Sequence, residues 1–310
     1  MKLKPSENTQ LFGMNFFFNN FVTLYDEKKL PPKILLSGKK GLGKSTLSYH
    51  LINYIFSKNE EFKYDLKNLT INNDNKSFKL LKNNTHPNFY LIDILSDKKS
   101  IDVTQIRKMI TYTNKSSFDN MPRFVLIDNI ENLNKNSINA LLKVIEEPNQ
   151  NLFFILINNN EKNILPTLKS RCISFKIHFT FNESINITKQ ILNKNVLDII
   201  NLDLISYYNT PGEIVELINF ADEKSINLKE QTLIKFLNIL IENNYYKKNK
   251  FHKRLLINLV ELFFLKEHKL TYTKVSLFNF YNKFIYKIHN TERFNLDEES
   301  LFLEFKSKLL

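Results

Sequence analysis

From Lys33 to about Ile177, short apolar and β-rich runs alternate with stretches of helical periodicity, the signature of a parallel sheet flanked by helices. The pattern predicts strands near Lys33–Ser37, Asn88–Asp93, Arg123–Asp128, Leu152–Ile157 and Cys172–Ile177. Helices are expected from Lys44 to about Phe56, from Asp102 to about Lys115 and from Asn134 to Glu147. The last of these sets Ile138, Leu141, Leu142 and Ile145 at i, i+3, i+4 and i+7, one apolar stripe, and stops at Pro148. Between Lys58 and Asn84 the chain is rich in Asn and Lys with little periodicity, which predicts a surface excursion carrying at most short elements.

After Ile177 the strand-like runs end and helical periodicity takes over, punctuated at Asn209-Thr210-Pro211-Gly212. A small helical module over about Phe179–Ala221 is expected, then an all-α region with helices near 227–243, 249–267, 273–290 and 296–309. At 310 residues the chain has room for two or three domains. The boundaries that follow are 1–178 for an α/β domain, 179–221 for a small helical domain and 222–310 for an all-α C-terminal domain.

Glycine changes the picture most. It occurs five times, where average usage gives roughly twenty, and three of the five fall in Gly38-Lys39-Lys40-Gly41-Leu42-Gly43-Lys44-Ser45. This fits G-x-x-x-x-G-K-[ST], a loop whose unhindered backbone N–H groups wrap a polyphosphate, with Lys on the β/γ-phosphates and Ser on Mg²⁺. The segment stands where that chemistry needs it, after the apolar strand Ile34-Leu35-Leu36 and opening the helix at Lys44. Five strands with crossover helices then make a P-loop NTPase core; the bland alternative is a Gly-rich turn that binds nothing.

Phe124-Val125-Leu126-Ile127-Asp128 delivers a carboxylate from the tip of a neighbouring strand, placed for the Mg²⁺ shell or, less consequentially, for capping the next helix. Hydrolysing relatives of the additional-strand class follow this Asp with a Glu that polarises the attacking water. Asn129 holds that position, and an amide cannot take up a proton as a carboxylate does. Glu131, two residues on, is the one substitute in reach.

Lysine outnumbers arginine 39 to 5, so an Arg in a special place suggests a task for a planar, forked donor. Arg171, in Leu168-Lys169-Ser170-Arg171-Cys172, is such a case, with a structural ion pair near a strand start as the alternative. The net charge of +12 is spread along the whole length, which suits a solvated exterior as well as a nucleic-acid partner. A single Cys172, no apolar leader and no run near the roughly 20 residues of a spanning helix lead to the expectation of a soluble, cytoplasmic chain with no membrane partner. With no second Cys and no His at metal-ligand spacing, no zinc site is expected.

Gly38–Ser45, the Asp128 strand, Asn136–Pro148 (NSINALLKVIEEP) and Leu165–Cys172 (LPTLKSRC) together resemble the clamp-loader branch of the AAA+ ATPases. The resemblance covers Gln10 to about Gly212 well and the C-terminal helices only in general character. Within the branch it is closest to the delta-prime subunits of the bacterial DNA polymerase III clamp loader. Asn129 lacks the motor carboxylate, Gly212 stands where motor subunits carry a lid arginine, and the chain ends after one collar-like helical region. Two features depart from the family: the four-cysteine zinc module is missing, since Lys58–Asn84 has no Cys, and the P-loop is intact although some delta-prime subunits have a degenerate one.

The resemblance implies an AAA+ parallel sheet with a small helical lid and an all-α collar. It implies ATP and Mg²⁺ held by Gly38, Gly41, Gly43, Lys44, Ser45, Thr46 and Asp128, with Ser45 and Asp128 on the metal. Asn158 or Asn159 takes the place of a γ-phosphate sensor, and Arg171 acts in trans on the ATP of an adjacent subunit. The implied partners are tau/gamma motor subunits and delta, with the sliding clamp and primed DNA reached through the complex; the chain's own ATPase activity is expected to be weak or absent. The rival readings are an active tau/gamma-like motor using Glu131, a P-loop small-molecule kinase, and an assembly subunit with a vestigial loop.

Overall fold

The structure is a computed structural model that describes residues 4–95, 98–115, 121–146, 151–247, 250–270, 275–294 and 298–309. The chain divides into two compact units, Met1–Asn193 with Thr210–Glu213, and Lys194–Asn209 with Ile214–Leu310. No helix among the described residues is long and apolar enough to cross a membrane.

The first unit is built on a five-stranded parallel sheet, β1 (Lys33–Ser37), β2 (Phe89–Ile92), β3 (Arg123–Ile127), β4 (Leu152–Asn158) and β5 (Ile173–Lys176), in the order β2-β3-β4-β1-β5. All five predicted strands are present, within a residue of the expected ends. The central strands β1, β3 and β4 are short apolar runs because the sheet interior is covered on both faces; every residue of β3 is buried, whereas the edge strand β5 exposes Ile173, Ser174 and Lys176. One face packs against α1 (Asn15–Asp26) and α2 (Lys44–Phe56), the other against α4 (Val103–Thr113) and α5 (Lys135–Glu146). Ile138, Leu141, Leu142 and Ile145 of α5 do line the sheet, with Leu141 and Ile145 fully buried. The predicted stop at Glu147 and Pro148 lies outside the described residues.

The segment expected to run over the surface is tied down. It carries the short helix α3 (Lys76–Lys82), and Tyr64, Leu69, Ile71, Phe78 and Leu81 are buried in the same core as α1 and α2. Asn75 caps α3 by accepting from the Phe78 N–H at 2.6 Å, and Glu60 accepts from the Ser77 hydroxyl at 2.5 Å and the Lys76 N–H at 2.9 Å. His50 of α2 reaches the Tyr64 hydroxyl at 2.8 Å, and the His86 ring stacks on Phe56 at 4.0 Å. Hydrogen bonds and inserted apolar residues thus hold this stretch. Two short helices follow the fourth and fifth strands, α6 (Pro166–Lys169) and α7 (Phe181–Leu192).

The second unit is helical: α8 (Val196–Ile199), most of α9 (Pro211–Glu223), α10 (Leu233–Glu242), α11 (Lys250–Leu270), α12 (Val275–Phe294) and α13 (Glu299–Leu309). The four predicted C-terminal helices correspond to α10–α13. The first begins later than expected because Thr232 caps it, its side chain accepting from the Lys235 N–H. Phe236, Leu237, Leu256, Val260, Phe284, Phe302 and Phe305 form the core of this bundle, with ring centroids of Phe284 and Phe305 5.3 Å apart.

Candidate nucleotide site

In a parallel α/β sheet the loops at the carboxyl ends of the strands converge on one edge, where ligands bind. Here β1 runs directly into Gly38–Ser45, and the register sets Ser37 against Asn158 at the tip of β4. The Gly38 N–H donates to the Asn158 carbonyl at 3.2 Å. A side chain at Gly38 would lie 2.3 Å from the Ile177 carbonyl, so the loop leaves the sheet only because this residue is glycine. Gly41 and Gly43 both adopt φ +85°, a left-handed turn that L side chains resist. Gly43 is the cap from which α2 begins.

Lys44 is buried, its ammonium folded back to donate to the Gly38 and Lys39 carbonyls at 2.7 and 2.6 Å. Burial lowers its proton affinity to about 8, against the pull of Asp128 and Glu131. The Ser45 hydroxyl donates to a carboxylate oxygen of Asp128, and the other oxygen accepts from the Asn129 N–H at 2.8 Å. Burial raises the Asp128 carboxyl above the usual carboxylate range; the Ser45 bond opposes this and neighbouring Asp93 adds to it. Thr46 faces away, toward the Asn8 amide at 3.4 Å.

These residues fit a Mg-nucleotide. The left-handed glycines turn the backbone around a cradle, a desolvated ammonium stands inside it, and a hydroxyl–carboxylate pair offers the hard oxygen donors that Mg²⁺ prefers. Among the described residues no cluster of three or more His, Cys, Asp or Glu is arranged as a metal site of the protein's own.

The strand tips beside the loop form a second group, and its side chains bond to one another. Asn129, left-handed at φ 57°, donates its Nδ2 to Asp93 at 2.7 Å and accepts at Oδ1 from the Asn159 Nδ2 at 2.8 Å. The Asn159 N–H is shared between both oxygens of Glu131 at 3.2 Å. Asn158 is turned the other way, exchanging bonds with Asn160 at 2.8 and 3.0 Å. Glu131 is buried, which raises its carboxyl above the usual range.

The turn Thr210–Glu213 completes the first unit. The Thr210 hydroxyl donates to the Lys40 carbonyl and the Gly212 N–H to the Gly41 carbonyl, both at 2.9 Å. A Cβ on Gly212 would stand 2.6 Å from the Gly41 Cα, so this backbone contact excludes any side chain at 212. Thr210 and Glu213 form a reciprocal cap, Thr210 N–H to Glu213 at 3.0 Å and Glu213 N–H to the Thr210 hydroxyl at 3.3 Å.

Arg171 stands apart from the loop. It lies just past α6, where its guanidinium donates to Glu146 at 2.6 and 3.0 Å and to the Thr167 carbonyl at 2.8 Å. Both partners are substantially exposed, Arg171 by 34% and Glu146 by 49% of their side-chain surface, so the pair is a surface ion pair of small worth. Gly38–Ser45, Asp128 and Asn159 are therefore brought together, the side chains of Thr46 and Asn158 point elsewhere, and Arg171 stands apart. Asp93 and the 210–213 contact were missed by sequence reasoning. The carboxylate at the end of the second strand was a visible signal for the first; nothing in the sequence marked the second beyond Pro-Gly.

A family model described as DNA polymerase III, delta subunit, matches residues 13–180, which holds the sheet and the whole strand-tip site. The chain is 26% identical over 281 residues to DNA polymerase III subunit delta' of Buchnera aphidicola subsp. Schizaphis graminum, covering 86% of this chain and 82% of that protein. It is 29% identical over 241 residues to subunit gamma of the same organism, covering 74% of this chain and 63% of the relative, so it spans just under two thirds of that subunit's length. Among solved structures, a DNA polymerase III gamma subunit-related protein of Thermotoga maritima superposes with a TM-score of 0.53 at 17% identity, covering 93% of this chain and 97% of that one. That superposition speaks for the fold alone, a five-stranded parallel sheet followed by helices. The chain belongs to the DNA polymerase III delta-subunit family.

Proposed function

We propose that this chain is the delta-prime-type, non-motor member of the clamp loader: it holds ATP·Mg²⁺, cleaves it poorly, and lends Arg171 to a neighbouring motor subunit. The observation that carries this is Asn129. The position that needs a proton acceptor bears an amide, and both ends of that amide are engaged, by Asp93 and by Asn159. Bound nucleotide would supply the polyphosphate and its Mg²⁺. The amides of Gly41–Ser45 and the Lys44 ammonium would hold the phosphates, and Ser45 with Asp128 the metal. The lid-side turn offers only the Gly212 backbone, with no room for a cationic side chain.

In this reading the chain has an AAA+ module over 1–178, a lid over 179–221 and a collar over 222–310, and it works in a cytoplasmic hetero-oligomer. Its partners are tau/gamma and delta, and it acts on the sliding clamp and primed DNA through the complex. Arg171 sits on an exposed corner with a partner it can release at little expense. Presented to a neighbour's ATP, such an arginine neutralises charge on the transferred phosphoryl group and is worth about 10³–10⁵ in rate. The test is to mix the chain with motor subunits and compare wild type with Arg171→Ala. A collapse of ATPase rate with assembly intact supports the trans role, and an unchanged rate removes it. Brisk hydrolysis by the isolated chain would overturn the non-motor reading.

Glu131 favours a second reading, an active motor. It is a buried carboxyl with raised proton affinity, in the same site as Lys44. Turnover by the isolated chain that Glu131→Gln abolishes would select this reading.

A further inference from the structure

The tips of β2, β3 and β4 are joined by one line of hydrogen bonds: Asp93 to Asn129, Asn129 to Asn159, and Asn159 to Glu131. Its direction is fixed by chemistry. A carboxylate only accepts, so the group that faces Asp93 is the Asn129 NH₂, and its carbonyl oxygen is left to accept from Asn159. Asp93 is itself anchored. Its carboxylate accepts from the Ile94 N–H at 2.6 Å, and its carbonyl accepts from Gln105 at 2.8 Å. Gln105 in turn belongs to the capping box of α4, which pairs it with Asp102.

We propose that Asp93 is a positioning residue of this site: it demands an amide at position 129 and, through that amide, sets the orientation of Asn159 and the tip of β4. The inference rests on the reading that residue 129 stands where the hydrolytic base would be, and extends it to say what keeps the amide there. A carboxylate at 129 would confront Asp93 with two acceptors and two negative charges at hydrogen-bond distance. The missing base can therefore be reinstated only together with a neutral residue at 93. A reciprocal exchange, Asp93→Asn with Asn129→Asp, restores one donor between the two positions after rotation of the side chain. It also keeps an oxygen at 129 to accept from Asn159.

The experiment is a double-mutant cycle on the full-length chain without nucleotide, so that its outcome is independent of whether the chain hydrolyses ATP. Asn129→Asp is expected to lower the melting temperature by roughly 5 °C, Asp93→Asn by roughly 2 °C, and the exchanged pair to return to within about 1 °C of wild type. Asn129→Ala, which removes the amide without adding charge, should lose less than Asn129→Asp. Hydrogen exchange at the Asn159 N–H should accelerate about tenfold in Asn129→Asp and recover in the exchanged pair. Additive losses in the double variant, an Asn129→Ala as damaging as Asn129→Asp, or exchange at Asn159 that ignores all of these changes would each overturn the proposal.

Discussion

The P-loop half of the site and the strand-tip half beside it draw on the same stock of Lys, Ser, Asn and carboxylates, yet they direct their polar groups differently. In the first, Lys44 and the Ser45–Asp128 pair are gathered where a phosphate and its metal would lie. In the second, Asn129, Asn159 and Glu131 bond to each other. Holding a nucleotide and cleaving it are separable tasks on one sheet edge. The first needs a backbone turn and a few charges, whereas the second needs an unengaged acceptor.

Four changes break or sharpen this contrast. The largest acts on the frame behind both halves, because His50 and His86 are buried and their proton affinities fall to about 4 from 6.5. Below pH 6.5 the unfolded chain takes up protons that the fold rejects, so stability should drop as the pH falls from 6.5 to 4 and then level off. Each histidine accounts for on the order of 3 kcal/mol. Urea titrations across that range measure it, and a stability that stays constant from pH 6.5 to 4 would show that the fold does not hold the two histidines neutral.

Next comes Lys44→Ala, which should weaken ATP binding about a hundredfold by calorimetry, while Asn129→Ala leaves it within about threefold. Equal losses would erase the distinction between the halves. Gly212→Ala follows: its methyl group would meet the Gly41 backbone, and a loss of about 2 kcal/mol in unfolding free energy is expected. A neutral result would mean that the turn yields easily. Smallest is Glu146→Ala, which should change stability by less than about 1 kcal/mol while leaving Arg171 able to stimulate a partner. A large loss would mark Arg171 as a structural residue and count against its role in trans.

The sheet was legible because its central strands β1, β3 and β4 are buried apolar runs, and the loop because its glycines cluster. The first helix, α1, was not. Its burial pattern of Phe18, Phe21 and Val22 is hidden by the adjoining Phe16 and Phe17 and by the polar pair Asn19 and Asn20. The stretch 58–84 misled for a related reason: its buried Tyr64, Leu69, Ile71 and Phe78 enter the core singly from loops and one short helix, so no period links them. Within the site, Asn129 was read as standing where a catalytic carboxylate would serve. Its two partners were out of reach, since Asp93 and Asn159 lie 36 and 30 positions away and meet only across the sheet. The left-handed backbone at Asn129 that aims the amide is a conformation asparagine tolerates without announcing.

Four of the five glycines, at 38, 41, 43 and 212, belong to the loop or to the turn laid against it. At 38, 41 and 212 even a methyl group would collide, and at 41 and 43 the φ of +85° penalises every other residue. With only one other glycine in the chain, at 13, substitution at any of these four positions is expected to distort the cradle. At this corner a single added methyl group reaches the backbone that would wrap a phosphate.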